Sequence, residues 1–274
     1  MPTFKPMLSL LLTYLLLLLV VFLLQRKMIY FPALYSIEDQ QQLADQASLK
    51  LWPSADNYRG LISKTFNTTS KGTVIVFHGN AGSATDRTYY LDALEKQGYR
   101  VILAEYPGYA ARKGSPSEQA LIADGIQTAK QALADFGGPV FLWGESLGGG
   151  VVGGIVKSGQ IPVEGIVLIA PFTSLPDIAQ HHYWYFLAKW LTRDKFDNIE
   201  NLKNYSGNTA VVLAEKDEII PTKYSLKLFE SLRAPKKLWT FKDVGHNTLP
   251  VVNPALPWWR EVMQFVSAQN GVSR

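Results

Sequence analysis

Two kinds of hydrophobic pattern divide the chain. From Leu8 to Leu24 the sequence reads LSLLLTYLLLLLVVFLL, without a single charge. Wound as a helix at about 1.5 Å per residue it spans about 26 Å, close to the ~30 Å hydrocarbon core of a bilayer. Beyond residue 58 the apolar stretches become short and regular. Thr73–Phe77 (TVIVF), Arg100–Ala104, Val140–Trp143, Gly165–Ala170, Thr209–Ala214 and Lys237–Phe241 are runs rich in β-branched and aliphatic residues. Runs without polar alternation predict strands buried on both faces, as in a parallel sheet. Between them, Asp86–Gln97, Ser117–Phe136, Thr222–Leu232 and Pro254–Ala268 carry helical spacing. Strand and helix in alternation predict one α/β domain with a mostly parallel central sheet flanked by helices.

Two segments fall outside this rhythm. Residues 31–58 are polar and read as a linker with one short helical stretch near Glu38–Ala47. Leu175–Tyr205 is too long for a plain crossover and holds His181-His182-Tyr183-Trp184-Tyr185-Phe186 and Trp190, which predicts a helical cap inserted over the sheet edge. The expected organisation is therefore a transmembrane anchor at 1–30, a linker at 31–58, and a catalytic domain at 59–270 with its cap at about 175–205.

Composition narrows the classes. The net charge is +4 with no dense basic stripe, which argues against nucleic acid as a partner and fits work beside an anionic membrane surface. There is no cysteine, so disulfides, thiolate metal sites and a cysteine nucleophile are excluded. The apolar run at 8–24 ends in Gln25-Arg26-Lys27-Met28-Ile29-Tyr30, without the small residues of a cleavage site. That ending predicts an uncleaved single-pass anchor rather than a signal peptide. Lys5 and the α-amino group balance Arg26 and Lys27 across the span, so the charges set no orientation.

The chemistry centres on Gly144-Glu145-Ser146-Leu147-Gly148, which follows a predicted strand and opens a glycine-rich helix. A serine on such a strained turn, flanked by glycines, projects its hydroxyl at the end of a sheet. The hydroxyl is a weak nucleophile and needs a base. Of the four histidines, His78 precedes the serine and reads as a loop brace, and His181 and His182 lie in the cap. His246, just past the last predicted strand, is the candidate base. The acid comes from the loop after Thr209–Ala214, where Asp217 is the first choice and Glu215 the second; Asp243 reads as a turn residue. The backbone N–H of Leu147 and that of Asn80, in the loop after the first buried strand, are the candidate oxyanion donors. No nucleotide-binding glycine pattern and no metal-ligand spacing occurs, so neither cofactor nor metal is expected.

Taken together, FHGNAGS (77–83), AEYPGYAARKGS (104–115), GESLGGG (144–150), APFTS (170–174), EKDEIIP (215–221) and GHN (245–247) resemble the α/β-hydrolase superfamily, in particular its membrane-anchored branch. Members of that branch include acyl-protein thioesterases and lysophospholipid lipases. The resemblance covers about residues 60–265. It implies an eight-stranded core, Ser146 as nucleophile, Asp217 as acid, His246 as base, and the Asn80 and Leu147 amides as oxyanion hole. The resulting expectation is a membrane-anchored serine hydrolase acting on ester or thioester bonds of small or lipid-like acyl substrates, with the cap aromatics, Trp184 and Trp190 included, receiving the acyl chain. An amidase or aminopeptidase of the same fold, and an inactive membrane-tethered interaction protein, are the competing readings.

Overall fold

The computed structural model describes residues 4–66 and 69–268. The outermost positions of the expected anchor and domain, residues 1–3 and 269–270, lie outside the described residues. In chain order the strands are β1 (Phe31–Pro32), β2 (Leu49–Trp52), β3 (Gly60–Ser63), β4 (Thr73–Phe77), β5 (Ala81–Gly82), β6 (Arg100–Ala104), β7 (Val140–Glu145), β8 (Gly165–Ile169), β9 (Asn208–Ala214) and β10 (Lys236–Phe241). The helices are α1 (Phe4–Ile29), α2 (Ile37–Gln46), α3 (Tyr89–Leu94), α4 (Glu118–Phe136), α5 (Leu147–Ser158), α6 (Leu175–Tyr183), α7 (Ala188–Leu191), α8 (Asn198–Leu202), α9 (Thr222–Ser231) and α10 (Trp258–Val266).

Eight strands form one sheet in the order β10-β9-β8-β7-β4-β6-β3-β2. All pairings are parallel from β10 to β6; β3 runs antiparallel to β6, and β2 to β3. The residues of β4, β8 and β9 are buried throughout, as strands covered by helices on both faces must be. Two apolar clusters lie on the two faces, one around Ile75, Leu142 and Val152, the other around Val76, Trp143 and Trp259.

From β4 the chain passes to β6 on one side and then crosses back to β7 on the other. The sheet therefore has its switch point at β4 and β7, where the loops leaving the strands part and open a crevice. Phe77 stands opposite Gly144 in the register, so the loops after both strands begin side by side.

Some elements differ from the expectations. The stretch read as a linker contains β2, an edge strand whose Leu49, Leu51 and Trp52 are buried while Lys50 is exposed. Four residues give too short an alternation to stand out. The helix expected over 86–97 is broken into a 3-10 turn, α3 and a second 3-10 turn that ends at left-handed Gly98. The last helix starts at Trp258 rather than Pro254, because prolines at 254 and 257 lack the N–H a helix interior needs. By contrast α4 begins where read: the Ser117 side chain accepts the Ala120 N–H at 3.2 Å.

Helix α1, at Lys5–Ile29 with a mean hydropathy of 2.9 in its most apolar window, is long and apolar enough to cross a membrane. Its last two turns lie against the cap. Arg26 grips the buried Asp194 through two hydrogen bonds of 3.0 and 2.9 Å, and Tyr30 donates its hydroxyl to the same carboxylate at 2.9 Å.

Candidate active site

Ser146 occupies the turn between β7 and α5 with φ 50° and ψ −111°, a conformation that side chains other than glycine's rarely hold. The surroundings enforce it. The Ser146 N–H donates to Ile169 O at 2.8 Å. A Cβ on Gly144 would stand 2.5 Å from Gly149 N, and one on Gly148 would collide with the Phe77 carbonyl oxygen. Glycine at both flanks is thus a packing requirement of the elbow, as the sequence pattern implied.

Glu145, between Gly144 and the serine, is tied to the body of the domain. Arg87 Nε donates to it at 2.7 Å, and the hydroxyls of Tyr89 and Tyr90 donate at 2.6 and 2.8 Å. Burial pushes this carboxyl up, but the Arg87 charge and the three hydrogen bonds outweigh burial and hold it below the usual carboxylate range. Sequence reading missed this network, since Glu145 lies more than fifty residues from its partners and no local pattern joins them.

The loop after β4 packs directly on the elbow: a Cβ on Gly79 would lie 3.8 Å from Ser146 Cβ. His78 is buried and hydrogen-bonds Glu105 Oε1 through Nε2 at 3.0 Å and Gly79 O through Nδ1 at 2.8 Å. Glu105 also accepts the Ala84 N–H at 2.9 Å. His78 is therefore held inside the loop rather than turned toward the serine. Asn80 uses its side chain to donate to Ile29 O at 2.8 Å, while its carbonyl accepts from Phe31 N and Tyr109 Oη at 2.9 and 2.7 Å. Leu147 opens α5, where backbone N–H groups carry the positive end of the helix. Asn80, Ser146 and Leu147 all border one cavity.

Asp217 and His246 meet in the structure. Asp217 is buried in the loop after β9, and its Oδ1 accepts the amides of Ile219 and Ile220 at 3.0 and 2.7 Å. Its Oδ2 accepts from His246 Nδ1 at 2.8 Å, an arrangement that leaves Nε2 as the ring's basic nitrogen. The His246 N–H donates to Glu218 Oε2 at 3.1 Å, fixing the backbone of the loop after β10. Glu215, the second choice for the acid, accepts the Asp243 N–H at 3.0 Å, and Asp243 pairs with Lys216 at 2.6 Å. Both serve the turn. Among the described residues, Ser146 Oγ and His246 Nε2 make no hydrogen bond to one another or elsewhere; such bonds often form only when substrate closes the site.

The cavity has a volume of about 640 Å³, inside the range typical of small-molecule sites. Its walls are mostly apolar; besides the elbow and the Asn80 loop, they come from the cap, the loop carrying Glu218, Ile219 and Ile220, and the end of α1. The cap aromatics divide. Tyr183 and Phe186 line the cavity, whereas Trp184 and Trp190 do not and are about two-thirds exposed. The expectation that both tryptophans receive the acyl chain is thus corrected. A sharp turn at Leu187, which has φ 52°, separates a 3-10 turn at Trp184–Phe186 from α7 at this tip. Among the described residues no cluster of His, Cys, Asp or Glu could hold a metal ion.

The chain is similar to several known proteins. A family model described as serine aminopeptidase, S33, matches residues 68–201. An uncharacterized protein of Mycobacterium tuberculosis is 31% identical over 230 residues, covering 81% of this chain and 80% of that protein. The lysophosphatidylserine lipase ABHD12 of Xenopus tropicalis is 31% identical over 193 residues, 64% of this chain and 50% of the lipase, so the chain spans about half the length of that relative. Among solved structures, Est1E from Butyrivibrio proteoclasticus with bound ferulic acid superposes with a TM-score of 0.61 at 17% identity, covering 75% of this chain and 93% of that one. A monoacylglycerol lipase from Paleococcus ferrophilus gives a TM-score of 0.56 at 17% identity, covering 74% and 96%. At such identities these two structures speak for the fold alone.

Proposed function

The chain belongs to the α/β-hydrolase superfamily, and we propose that within it the protein is a membrane-anchored serine hydrolase that cleaves carboxylic esters of lipid-like acyl chains. The observation that carries this reading is a part-buried Asp217–His246 pair, 2.8 Å apart, at the same sheet edge as a strained serine that opens into an apolar cavity. In the proposed reaction His246 Nε2 takes the proton from Ser146 Oγ as the oxygen attacks the ester carbonyl. The amides of Asn80 and Leu147 hold the oxyanion. Collapse breaks the bond to the alcohol, which leaves with the proton from His246, and an acyl-Ser146 ester remains. Water, deprotonated by His246, then releases the acid and restores the serine. Asp217 keeps the ring in the required tautomer and stabilises the imidazolium.

Helix α1 is the proposed anchor, with the Arg26–Asp194 pair fixing the catalytic domain against it. Substrates carried by a bilayer fit that arrangement, and one relative is named as a lysophosphatidylserine lipase. Thioesters share the acyl carbonyl chemistry and belong to the same proposal. Peptide-like substrates with a free amine need an anionic subsite. The carboxylate lining the cavity is Glu218, and its Oε2 already accepts the His246 amide.

The test is direct. The full-length protein in detergent should label with a small fluorophosphonate and hydrolyse nitrophenyl butyrate. Ser146→Ala should abolish both, and His246→Ala should lower turnover by about a thousandfold or more. Wild-type protein that neither labels nor turns over the ester would overturn the reading.

A further inference from the structure

One wall of the cavity in front of Ser146 is built by α1. Val21, Phe22, Gln25, Lys27, Met28 and Ile29, all from the last turns of α1, line it together with Ser146 and Leu147. Leu18, Val21, Phe22, Gln25 and Ile29 recur at helical spacing and are sheltered, while Leu19, Leu23 and Leu24 on the other side are exposed. One stripe of the helix therefore packs on the domain, and the remainder is left for lipid.

This wall is rigidly fixed. The Gln25 side chain bridges to the cap, donating to Leu191 O at 3.2 Å and accepting the Arg193 N–H at 2.7 Å. Arg26 and Tyr30 converge on Asp194, and Tyr14 donates its hydroxyl to Tyr185 O at 2.6 Å. At its end, α1 passes straight into β1, which pairs in parallel with β5 of the loop that carries Asn80. The helix thus touches both the cavity and the oxyanion loop.

The Tyr14 contact also sets the depth of the cap. Tyr14 is twelve residues before Arg26, about 18 Å along a helix of 1.5 Å rise. If Arg26 marks the membrane surface, the cap tip at Tyr185 lies well inside the hydrocarbon of a ~30 Å core. Trp184, Leu187 and Trp190 are exposed there and suit that medium, with the long side chain of Lys189 exposed among them.

Resting on the serine-hydrolase and anchor readings above, we infer that α1 is part of the acyl-binding site: its Val21–Ile29 face walls the cavity, and a membrane-borne acyl chain reaches Ser146 sideways from the bilayer, between α1 and the cap tip.

The experiment uses the full chain in phosphatidylcholine nanodiscs and compares kcat/KM for nitrophenyl palmitate and nitrophenyl butyrate. Val21→Trp and Met28→Trp fill the wall, and the palmitate-to-butyrate ratio should fall about tenfold or more in each. Leu23→Trp, on the exposed side of α1, should keep the ratio within about twofold of wild type. Should the two wall variants keep the wild-type ratio while wild type labels at Ser146, α1 has no part in the acyl site and the hydrolase reading survives. Absence of labelling and of butyrate turnover in wild type would remove both. A second measurement needs no variant. A fluorophosphonate carrying a palmitoyl-length chain with a terminal diazirine is reacted at Ser146 in nanodiscs and then irradiated. Crosslinks to peptides from residues 18–29 are expected, and crosslinks confined to other parts of the chain would overturn the inference.

Discussion

Glu145 shows how much of this site rests on a side chain that does no chemistry. Its carboxylate is part-buried at the elbow and meets Arg87, Tyr89 and Tyr90. Because its folded pKa lies below its unfolded value, the stability it contributes is present above about pH 4.3 and is lost as the pH falls through the folded value. Thermal melts of the wild type should therefore fall as the pH drops below about 4.3. Glu145→Gln should flatten that dependence and cost about 3 kcal/mol at pH 7, by leaving Arg87 without its counter-charge. Glu95 carries the opposite sign. Burial, helped by repulsion from Asp92 and opposed by Ser63 and Arg100, pushes its carboxyl up to about 7. A raised acid costs stability as the pH rises from its unfolded value through the folded one. Glu95→Gln should accordingly stabilise by about 1 kcal/mol at pH 8, water at the half-exposed group limiting the gain, and by almost nothing at pH 4. A gain that is equal at both pH values would contradict this assignment. Gly148→Ala tests the elbow itself. The added Cβ meets the Phe77 carbonyl, so the turn must shift, and turnover should fall about a hundredfold or more even in folded protein.

At the level of elements, the cap is held to the domain by the start of α4. Glu118 accepts the backbone amides of Lys195 and Phe196 at 2.6 and 2.7 Å. Glu118→Ala removes both bonds, worth about 1 kcal/mol net, and should raise limited proteolysis across residues 184–195 roughly fivefold. Unchanged cleavage would mean that α1 and Asp194 hold the cap alone. The same element illustrates what a sequence reveals. Strands β4 and β6, with their uninterrupted apolar runs, fall at the residues expected, and Ser117 fixes the start of α4. Legibility ends where structure depends on distant partners. Strand β2 is four residues whose pairing to β3 is set by the sheet edge, and the helical pattern over 86–97 is broken at positions that periodicity cannot mark. The motif around Ser146 could be read because its glycines answer a local clash. Asp217 and His246, the proposed acid and base, are picked out by their strand ends, and the structure brings the two side chains together. The cap aromatics could not be sorted, since Phe186 and Trp190 have the same chemistry and differ only in which side of a turn at Leu187 they leave.

For the whole molecule, the question is whether a hydrolase domain and a tether are separable. Sequence places the boundary near Tyr30, where the apolar run ends and the α/β pattern has not begun. The structure carries contacts straight across it. A chain beginning at Tyr30 would keep the sheet, the elbow and the Asp217–His246 pair, since none of them includes a residue of α1. It would lose Arg26 from Asp194, leaving a buried carboxylate with only the Tyr30 hydroxyl, which costs about 2 kcal/mol or more. It would lose the Ile29 carbonyl that orients Asn80, and one side of the cavity would open to water. The expected fragment is folded by circular dichroism but melts several degrees below the full chain. It should still label with a small fluorophosphonate, more slowly, because the loop bearing one proposed oxyanion amide is less well held. Hydrolysis of long-chain esters should fall further than hydrolysis of short ones, since only long chains reach the missing wall. A fragment that matches the full chain in melting temperature and in the ratio of long-chain to short-chain turnover would show that α1 is a tether alone. Loss of both rates by the same factor, with the melting temperature lowered, would instead place the role of α1 in holding Asn80 and the cap rather than in contacting the acyl chain.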